Sequence, residues 1–380
     1  MTGPRGGSHR PGRACAVIYR REVTAAPTVT DDDPDGDWTA PGVFRSAPGV
    51  YRIPLPLPQD GLRAVNVYAL ADDTGWTLID SGWAIDEARD LLCKALAALG
   101  SGFGDVRRFL VTHAHRDHYT LAAVLRREYG TRVLLGAGER PNLEVITDPD
   151  RPQGEPDRTR LLRAGAAGLV DELGRAGPWP RPLPEEWEAP DEWIADRAAI
   201  AVADPAGTRT LTAVETPGHT RGHLVFADEA HELLFAGDHV LPRITPSIGL
   251  QPSPVASPLG QFLDSLRLVR SRPDATLLPA HGPVGGSAHA RTDELLAHHD
   301  VRLAQCRDAV AAGHPTADAV ARVLRWTRRE HRLEDMDLFN RTLAVLETGA
   351  HLDVLADLGE LRRTEVPDAA TGVALATYTA

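Results

Sequence analysis

Four apolar runs in this chain of 380 residues each deliver a histidine or an aspartate to a loop. VRRFLVTHAHRDHYT leads into His113, His115, Asp117 and His118. ETPGHTRGH carries His219, LLFAGD ends on Asp238, and LLPAHG ends on His281. Short apolar runs bounded by turn residues read as buried strands, and loops at strand ends are where sites are commonly built. Residues two apart on a strand point the same way. In a tight loop after the strand, His113 and His115 can therefore face one ion, and Asp117 and His118, displaced along the turn, can face a second. Neutral imidazole and carboxylate suit Zn²⁺, Fe²⁺ or Mn²⁺. One such loop alone is compatible with a polar loop that happens to hold three histidines; the three further segments favour a metal site.

The rest of the pattern supplies a frame. GVYRIPLPLP reads as a strand, and VNVYALADDTGWTLIDSG as a hairpin around DDTG. IDEARDLLCKALAALG keeps helical spacing up to Gly100, VRRFLVTH is a short buried strand, LAAVLRREYG a helix closed by Gly130, and TRVLLG a strand. Residues 137–197, rich in Pro and Gly and holding Trp179, Trp187 and Trp193, exceed a normal connection and read as an insertion with its own small core or a lid over a pocket. Strands resume with AAIAVAD and TLTAVETPGH, then HLVFAD and HELLFAGD. LGQFLDSLRLVRS is a helix and ATLLPAHG a strand. Two β-rich halves, each with helices and each ending strands in His or Asp, suggest an αββα sandwich over residues 43–290. Residues 1–42 read as a disordered tail. Residues 291–380 read as a separate helical module with segments at 291–312, 316–330, 336–348 and 352–361. Its Arg322, Arg325, Arg328, Arg329 and Arg332 read as a solvated face, the alternative being a substrate or nucleic-acid contact.

The order T-H-x-H-x-D-H, P-G-H-T-x-G-H, A-G-D and A-H-G resembles the metallo-β-lactamase-fold hydrolases from residue 43 to about 285. The glyoxalase II (hydroxyacylglutathione hydrolase) branch is similar in ligand set. The resemblance implies a four-layer αββα fold and two divalent metal ions, zinc first, with iron or manganese also fitting. It implies that His113, His115 and His219 hold one ion, that Asp117, His118 and His281 hold the other, and that Asp238 bridges them. Asp117 and Asp238 then carry the catalytic work, through a hydroxide bridging the ions that attacks a thioester or other carboxylic ester. Asp80, in LIDSG, matches the family's Asp-x-Gly and would orient the ligand loop from behind. The resemblance does not make His223 or His239 a ligand. It also implies a winged-helix-type C-terminal appendage. The sequence departs from the family at Tyr119, Thr120 and Leu121, where glycines often follow D-H, which makes Tyr119 a candidate substrate contact. Counterparts of the basic glutathione-binding residues are missing, so an acyl-CoA or acyl-carrier thioester is expected rather than a glutathione thioester.

Bulk properties narrow the function. The formal net charge of −12 argues against a protein that coats nucleic acid or anionic membrane. No stretch of about twenty apolar residues spans a membrane. Lys94 is the one lysine and lies in an amphipathic helix, which leaves little room for lysine-based catalysis. Cys15, Cys93 and Cys306 are far apart and outside any CxxC, so neither a disulfide framework nor a cysteine-bound metal is expected. The first residues lack the apolar run of a signal peptide, and the expected compartment is the cytoplasm. The partners expected are a small-molecule or acyl-thioester substrate and, through the C-terminal module, a second copy in a homodimer. Phosphodiester hydrolysis of RNA, lactone hydrolysis and a regulatory protein with a relic metal site are the rival readings.

Overall fold

The computed structural model of the chain describes residues 28–58, 61–150, 155–177, 182–204, 207–249, 251–327 and 329–380. The expectations for residues 1–27, Trp179 and Arg328 lie outside the described residues. Among those described, strands β1 (Val29–Asp31), β2 (Val43–Ala47), β3 (Val50–Pro56), β4 (Ala64–Asp72) and β5 (Gly75–Ile79) come first. Helix α1 (Asp86–Ala98) leads to β6 (Val106–Val111), and α2 (Arg116–Tyr129) to β7 (Arg132–Gly136). Helices α3 (Arg140–Thr147), α4 (Glu155–Arg163) and α5 (Ala167–Ala176) precede β8 (Glu192–Ile194). The eight strands form one sheet in chain order. β2 to β5 pair antiparallel across short turns, and β5 to β8 pair parallel across helical crossovers.

The second sheet holds β9 (Ala199–Asp204), β10 (Gly207–Glu215), β11 (Leu224–Asp228) and β12 (Leu233–Gly237). After α6 (Pro258–Arg270), β13 (Thr276–Pro279) adds in parallel beside β12, giving the order β13-β12-β11-β10-β9. The chain closes with α7 (Ala288–Ala311), α8 (Ala317–Val323), α9 (Leu338–Asp357) and the hairpin of β14 (Arg362–Val366) and β15 (Leu375–Thr379).

Strand periodicity sorts the core into layers. Phe109 and Val111 face α1 and α2, where Leu92, Leu96 and Leu125 meet them, while Leu110 between them faces the other sheet. In the second sheet Leu224 and Phe226 join Leu110, whereas Val225 and Ala227 turn outward to Phe262 and Leu266 of α6. Strands buried on both faces must be apolar at consecutive positions. This is why VRRFLV, HLVFAD and HELLFAGD read as unbroken runs. The architecture is the αββα sandwich that the sequence implies.

Three expectations need correction. Residues 28–42 are not a loose tail: β1 pairs with β2, and Asp32 receives Arg52 in a buried bidentate ion pair (Nε to Oδ2 2.8 Å, Nη2 to Oδ1 2.6 Å). A strand of three residues in a Pro- and Asp-rich stretch has too short a pattern to show in sequence. The 137–197 insertion does not build a core of its own. Leu161 of α4, Leu169 of α5 and Ala164 between them pack with Cys306, Val310, Val320, Val345 and Leu352 of the C-terminal helices. Nor is the C-terminal module separate at 290, because α7 starts at Ala288 and Leu295, Ala350 and Val354 cover the outer face of the second sheet. The segments 336–348 and 352–361 are one helix, α9, and the module adds a hairpin.

Candidate metal centre

The four strand ends converge. β6 runs out at Val111 into Thr112 and His113, and β10 at Glu215 into the turn that carries His219. β12 ends at Gly237, immediately before Asp238, and β13 two residues before His281. Gly237 has φ +49°, and a Cβ there would stand 2.7 Å from His223 Nε2 and 2.9 Å from Thr112 Cβ. The glycine lets Asp238 turn inward while the β6 loop closes over it. Helix α2 begins at Arg116, five residues earlier than its apolar spacing suggests, so Asp117 and His118 lie in its first turn. The positive end of the helix favours a carboxylate there.

The seven residues form two adjoining groups, His113, His115, His219 and Asp238, and Asp117, His118 and His281. His115 Nδ1 lies 3.0 Å from His113 Nε2 and 3.1 Å from His219 Nε2. His281 Nε2 is 3.4 Å from Asp117 Oδ2 and His118 Nε2 is 3.5 Å from the same oxygen. Asp238 joins the groups: Oδ2 is 3.5 Å from His219 Nε2, and Oδ1 is 3.3 Å from His281 Nε2 and 3.6 Å from His118 Nε2.

These donors fit metal ions. Nitrogen ligands of zinc stand about 2.0–2.1 Å from it in tetrahedral array, hence roughly 3.3 Å from one another, the spacing seen here. The outward ring nitrogens are already engaged, His118 Nδ1 with Asp80 Oδ2 (2.9 Å), His219 Nδ1 with the Ser247 carbonyl (2.8 Å), His281 Nδ1 with the Ala64 carbonyl (2.7 Å) and His113 Nδ1 with Thr112 Oγ1 (3.0 Å). In the neutral ring, each inward Nε2 then offers its lone pair to an ion. His118 Nε2, His281 Nε2 and Asp238 Oδ1 are buried with no hydrogen-bond partner among the described residues, a cost that proteins rarely carry unless another group completes the site.

Electrostatics agree. Burial, with neighbouring imidazoles, pushes His113 well below its usual pKa and His115 down to about 3, leaving both neutral and able to ligate. Burial also opposes protonation of His118, but Asp117, Asp80 and Asp238 override it and raise the ring to about 9. His281 is raised by Asp238 and Asp117 against the same burial. Burial disfavours ionised Asp117 and Asp238 too, yet the adjoining imidazoles hold both below the usual carboxylate range. Protons on His118 and His281 thus supply the positive charge that metal ions would bring.

Asp80 lies behind the loop that bears His113 and His118. Its Oδ1 accepts from the Thr112 amide at 2.8 Å and its Oδ2 meets His118. Tyr119 does not meet the expectation of a substrate contact: it is fully buried, its hydroxyl donates to the Glu188 carbonyl, and its ring stacks on Trp187 at 6.1 Å. One turn into α2, it points to the 187–188 segment rather than into the site. Three contributors escape sequence reading. His223 accepts from the Asp238 amide at 3.1 Å and meets Thr216 Oγ1 at 2.9 Å. Ser247 orients His219. Glu139, fully buried, holds Thr220 Oγ1, the Gly222 amide (3.2 Å) and Asn142 Nδ2 (2.7 Å), which fixes the loop bearing His219. The second histidine of PGHTRGH was a visible signal for His223, whereas Glu139 had none.

A sandwich of two sheets with seven ligand-type side chains at converging strand ends defines a class, and comparison with known proteins identifies it. The chain belongs to the metallo-beta-lactamase superfamily, whose family model matches residues 60–281. Among solved structures it is similar to a beta-lactamase domain protein of Burkholderia ambifaria (27% identity, TM-score 0.73, covering 90% of this chain and 96% of that one). A metallo-beta-lactamase family protein of Thermus thermophilus is similar at 29% identity and TM-score 0.69 (88% and 99% covered). Among curated proteins, the atrochrysone carboxyl ACP thioesterase of Aspergillus fumigatus is 26% identical over 246 residues, 64% of this chain and 44% of that protein. The lactamase-like protein ptaB of Pestalotiopsis fici is 25% identical over 244 residues, 64% and 58% respectively. The chain thus spans less than two thirds of the curated relatives it matches. No helix among the described residues is long and apolar enough to cross a membrane.

Proposed function

We propose that the protein is a binuclear metallo-hydrolase that cleaves acyl thioesters, with His113, His115 and His219 holding one ion, Asp117, His118 and His281 the other, and Asp238 between them. The observation that carries this is the convergence of seven donor groups, five of them buried and three with unpartnered atoms aimed at a common space. Zinc is the ion we expect, and iron and manganese suit the same donors. When bound, such ions polarise a carbonyl oxygen and lower the pKa of water towards neutrality.

The chain's own groups do the positioning. Asp117, at the more open side of the cluster (13% exposed), stays ionised at neutral pH and accepts a hydrogen bond from the attacking water, orienting it. His223 and Gly237 hold Asp238, and Asp80 fixes the tautomer of His118. No serine or cysteine nucleophile enters the scheme, so no acyl-enzyme forms. The name of the Aspergillus relative supports a carrier-protein thioester, and the lack of basic glutathione-binding residues points away from a glutathione thioester.

The test is thiol release from a panel of acyl-CoA, acyl-carrier and acylglutathione thioesters, with bound metal quantified and a chelated sample alongside. Chelator-sensitive release that returns with added metal supports the reading. A metal-replete protein that releases no thiol overturns it.

A further inference from the structure

We infer that a pocket of about 360 Å³ under the 249–258 loop receives the neutral, amide-bearing aliphatic arm of a pantetheine thioester. The inference rests on the thioester reading and adds what the substrate's thiol side must look like. The pocket lies between the 249–258 loop, α4, α9 and β15. Its size falls in the ordinary range for small-molecule sites, which are mainly apolar with a few placed polar groups. Val255, Ala164, Val345, Leu346 and Ala350 supply the apolar wall.

Gln251 carries the argument. It is only 3% exposed, lines the pocket, and neither its amide oxygen nor its amide nitrogen has a hydrogen-bond partner among the described residues. A buried amide with both ends unpaired is rare in a folded protein and marks a place where something else completes the bonding. Its oxygen accepts and its NH₂ donates, the complement of one secondary amide. A plain acyl chain would leave it unpaired.

The charged residues at the rim are mostly paired within the protein, which disfavours an anion as the natural occupant. Arg363 pairs with Asp353 at 2.9 Å, and Tyr378 donates to the same carboxylate at 2.7 Å. Arg163 pairs with Glu365, and Arg160 pairs through its two terminal nitrogens with Asp157 and the Gly249 carbonyl, its buried Nε alone lacking a partner among the described residues. With these cations engaged, the segment that fits is neutral, aliphatic and amide-bearing. Between its sulfur and its phosphate, the pantetheine arm shared by coenzyme A and carrier proteins has that chemistry.

Position links the pocket to the chemistry. The Ser247 carbonyl that orients His219 lies four residues before Gln251, a span of at most about 14 Å. An arm lying against Gln251 is therefore within reach of the segment that orients His219.

The experiment uses the metal-loaded protein and an S-alkyl pantetheine thioether, which has no scissile bond, with binding followed by calorimetry. Gln251→Leu removes the amide. Gly349→Leu fills the pocket from α9, where a Cβ would meet only Ala317 Cβ at 3.7 Å. Metal content and melting are checked for both variants. Both should bind the thioether about tenfold more weakly. The ratio of kcat/KM for acyl-pantetheine to that for the mercaptoethanol thioester should fall by a similar factor, through KM. Acyl-CoA and acyl-carrier protein are compared as sources of the arm, and a preference for either over the mercaptoethanol thioester supports the pocket. Undiminished thioether binding in both variants overturns it, as does absence of binding by the unaltered protein even where thioesters are cleaved. Thioether binding that depends on Gln251, in a protein that releases no thiol, upholds the pocket and sinks the thioester reading.

Discussion

Asp80 engages Thr112 and His118 with one carboxylate, and it does so from a left-handed backbone conformation (φ 58°) that aspartate and asparagine tolerate better than most residues. Asp80→Asn keeps that backbone option but replaces one acceptor oxygen with a donor. Facing Nδ1 of His118, the new NH₂ favours the tautomer whose proton sits on Nε2, the ligand atom. Affinity for the ion at Asp117, His118 and His281 should fall about 10–100-fold, read by chelator competition. Asp238→Ala should abolish activity and lower metal content; full activity with both ions bound would remove Asp238 from the site. The raised pKa of His118, about 9 against the usual 6.5, gives a third expectation. This group stabilises the folded metal-free protein fully below about pH 6.5 and loses that effect as pH rises through about 9. Metal uptake has the opposite sign, because the ion displaces the proton, so affinity climbs over the same interval. At pH 7, zinc binding should release about one to two protons per chain, measurable by calorimetry in buffers of different ionisation enthalpy. The seven donor residues were legible because each stands near the end of an apolar run. Glu139 and Ser247 were not, because their partners lie 81 and 28 residues away, and His223 showed only as the second histidine of PGHTRGH.

At the scale of elements, the loop carrying His219 is held by close backbone contact as well as by hydrogen bonds. At Gly222 a Cβ would stand 2.1 Å from the Glu139 amide nitrogen and 2.2 Å from the Gly138 carbonyl carbon, so the end of β7 and the loop after β10 touch directly. Glu139 lies at that contact, and removing its carboxylate leaves Thr220, Asn142 and the Gly222 amide short of acceptors. Glu139→Ala should cost about 2–4 kcal/mol in urea unfolding and loosen the ion held by His219. Wild-type stability would show that water substitutes for the carboxylate without loss. Element reading from sequence succeeded for strands buried on both faces and failed where chemistry masks pattern. The start of α2 was hidden because its first turn is spent on the polar residues Asp117 and His118. Helix α9 was divided at Gly349–His351, where a glycine in mid-helix, beside Ala317, looks like a stop.

For the whole molecule, the decisive fact is that the 137–197 insertion and the C-terminal helices share one core. Periodicity within a segment shows that a face is apolar but not which distant face covers it, so sequence could place these helices and could not pair them. Leu161 on α4 is fully buried among residues of the C-terminal module, while α7 and α9 cover the second sheet. A contiguous core should transmit a local loss to the whole. Leu161→Ala should destabilise by about 2–5 kcal/mol, depending on how far the cavity collapses. The loss should appear as a shift of a single unfolding transition followed both by tryptophan fluorescence and by release of metal. Two separated transitions, with metal retained through the first, would mean that the helical layer unfolds on its own and that the sandwich needs no cover. The coupled result would make the helices part of the apparatus that holds the 249–258 loop, and with it the Ser247 carbonyl that orients His219.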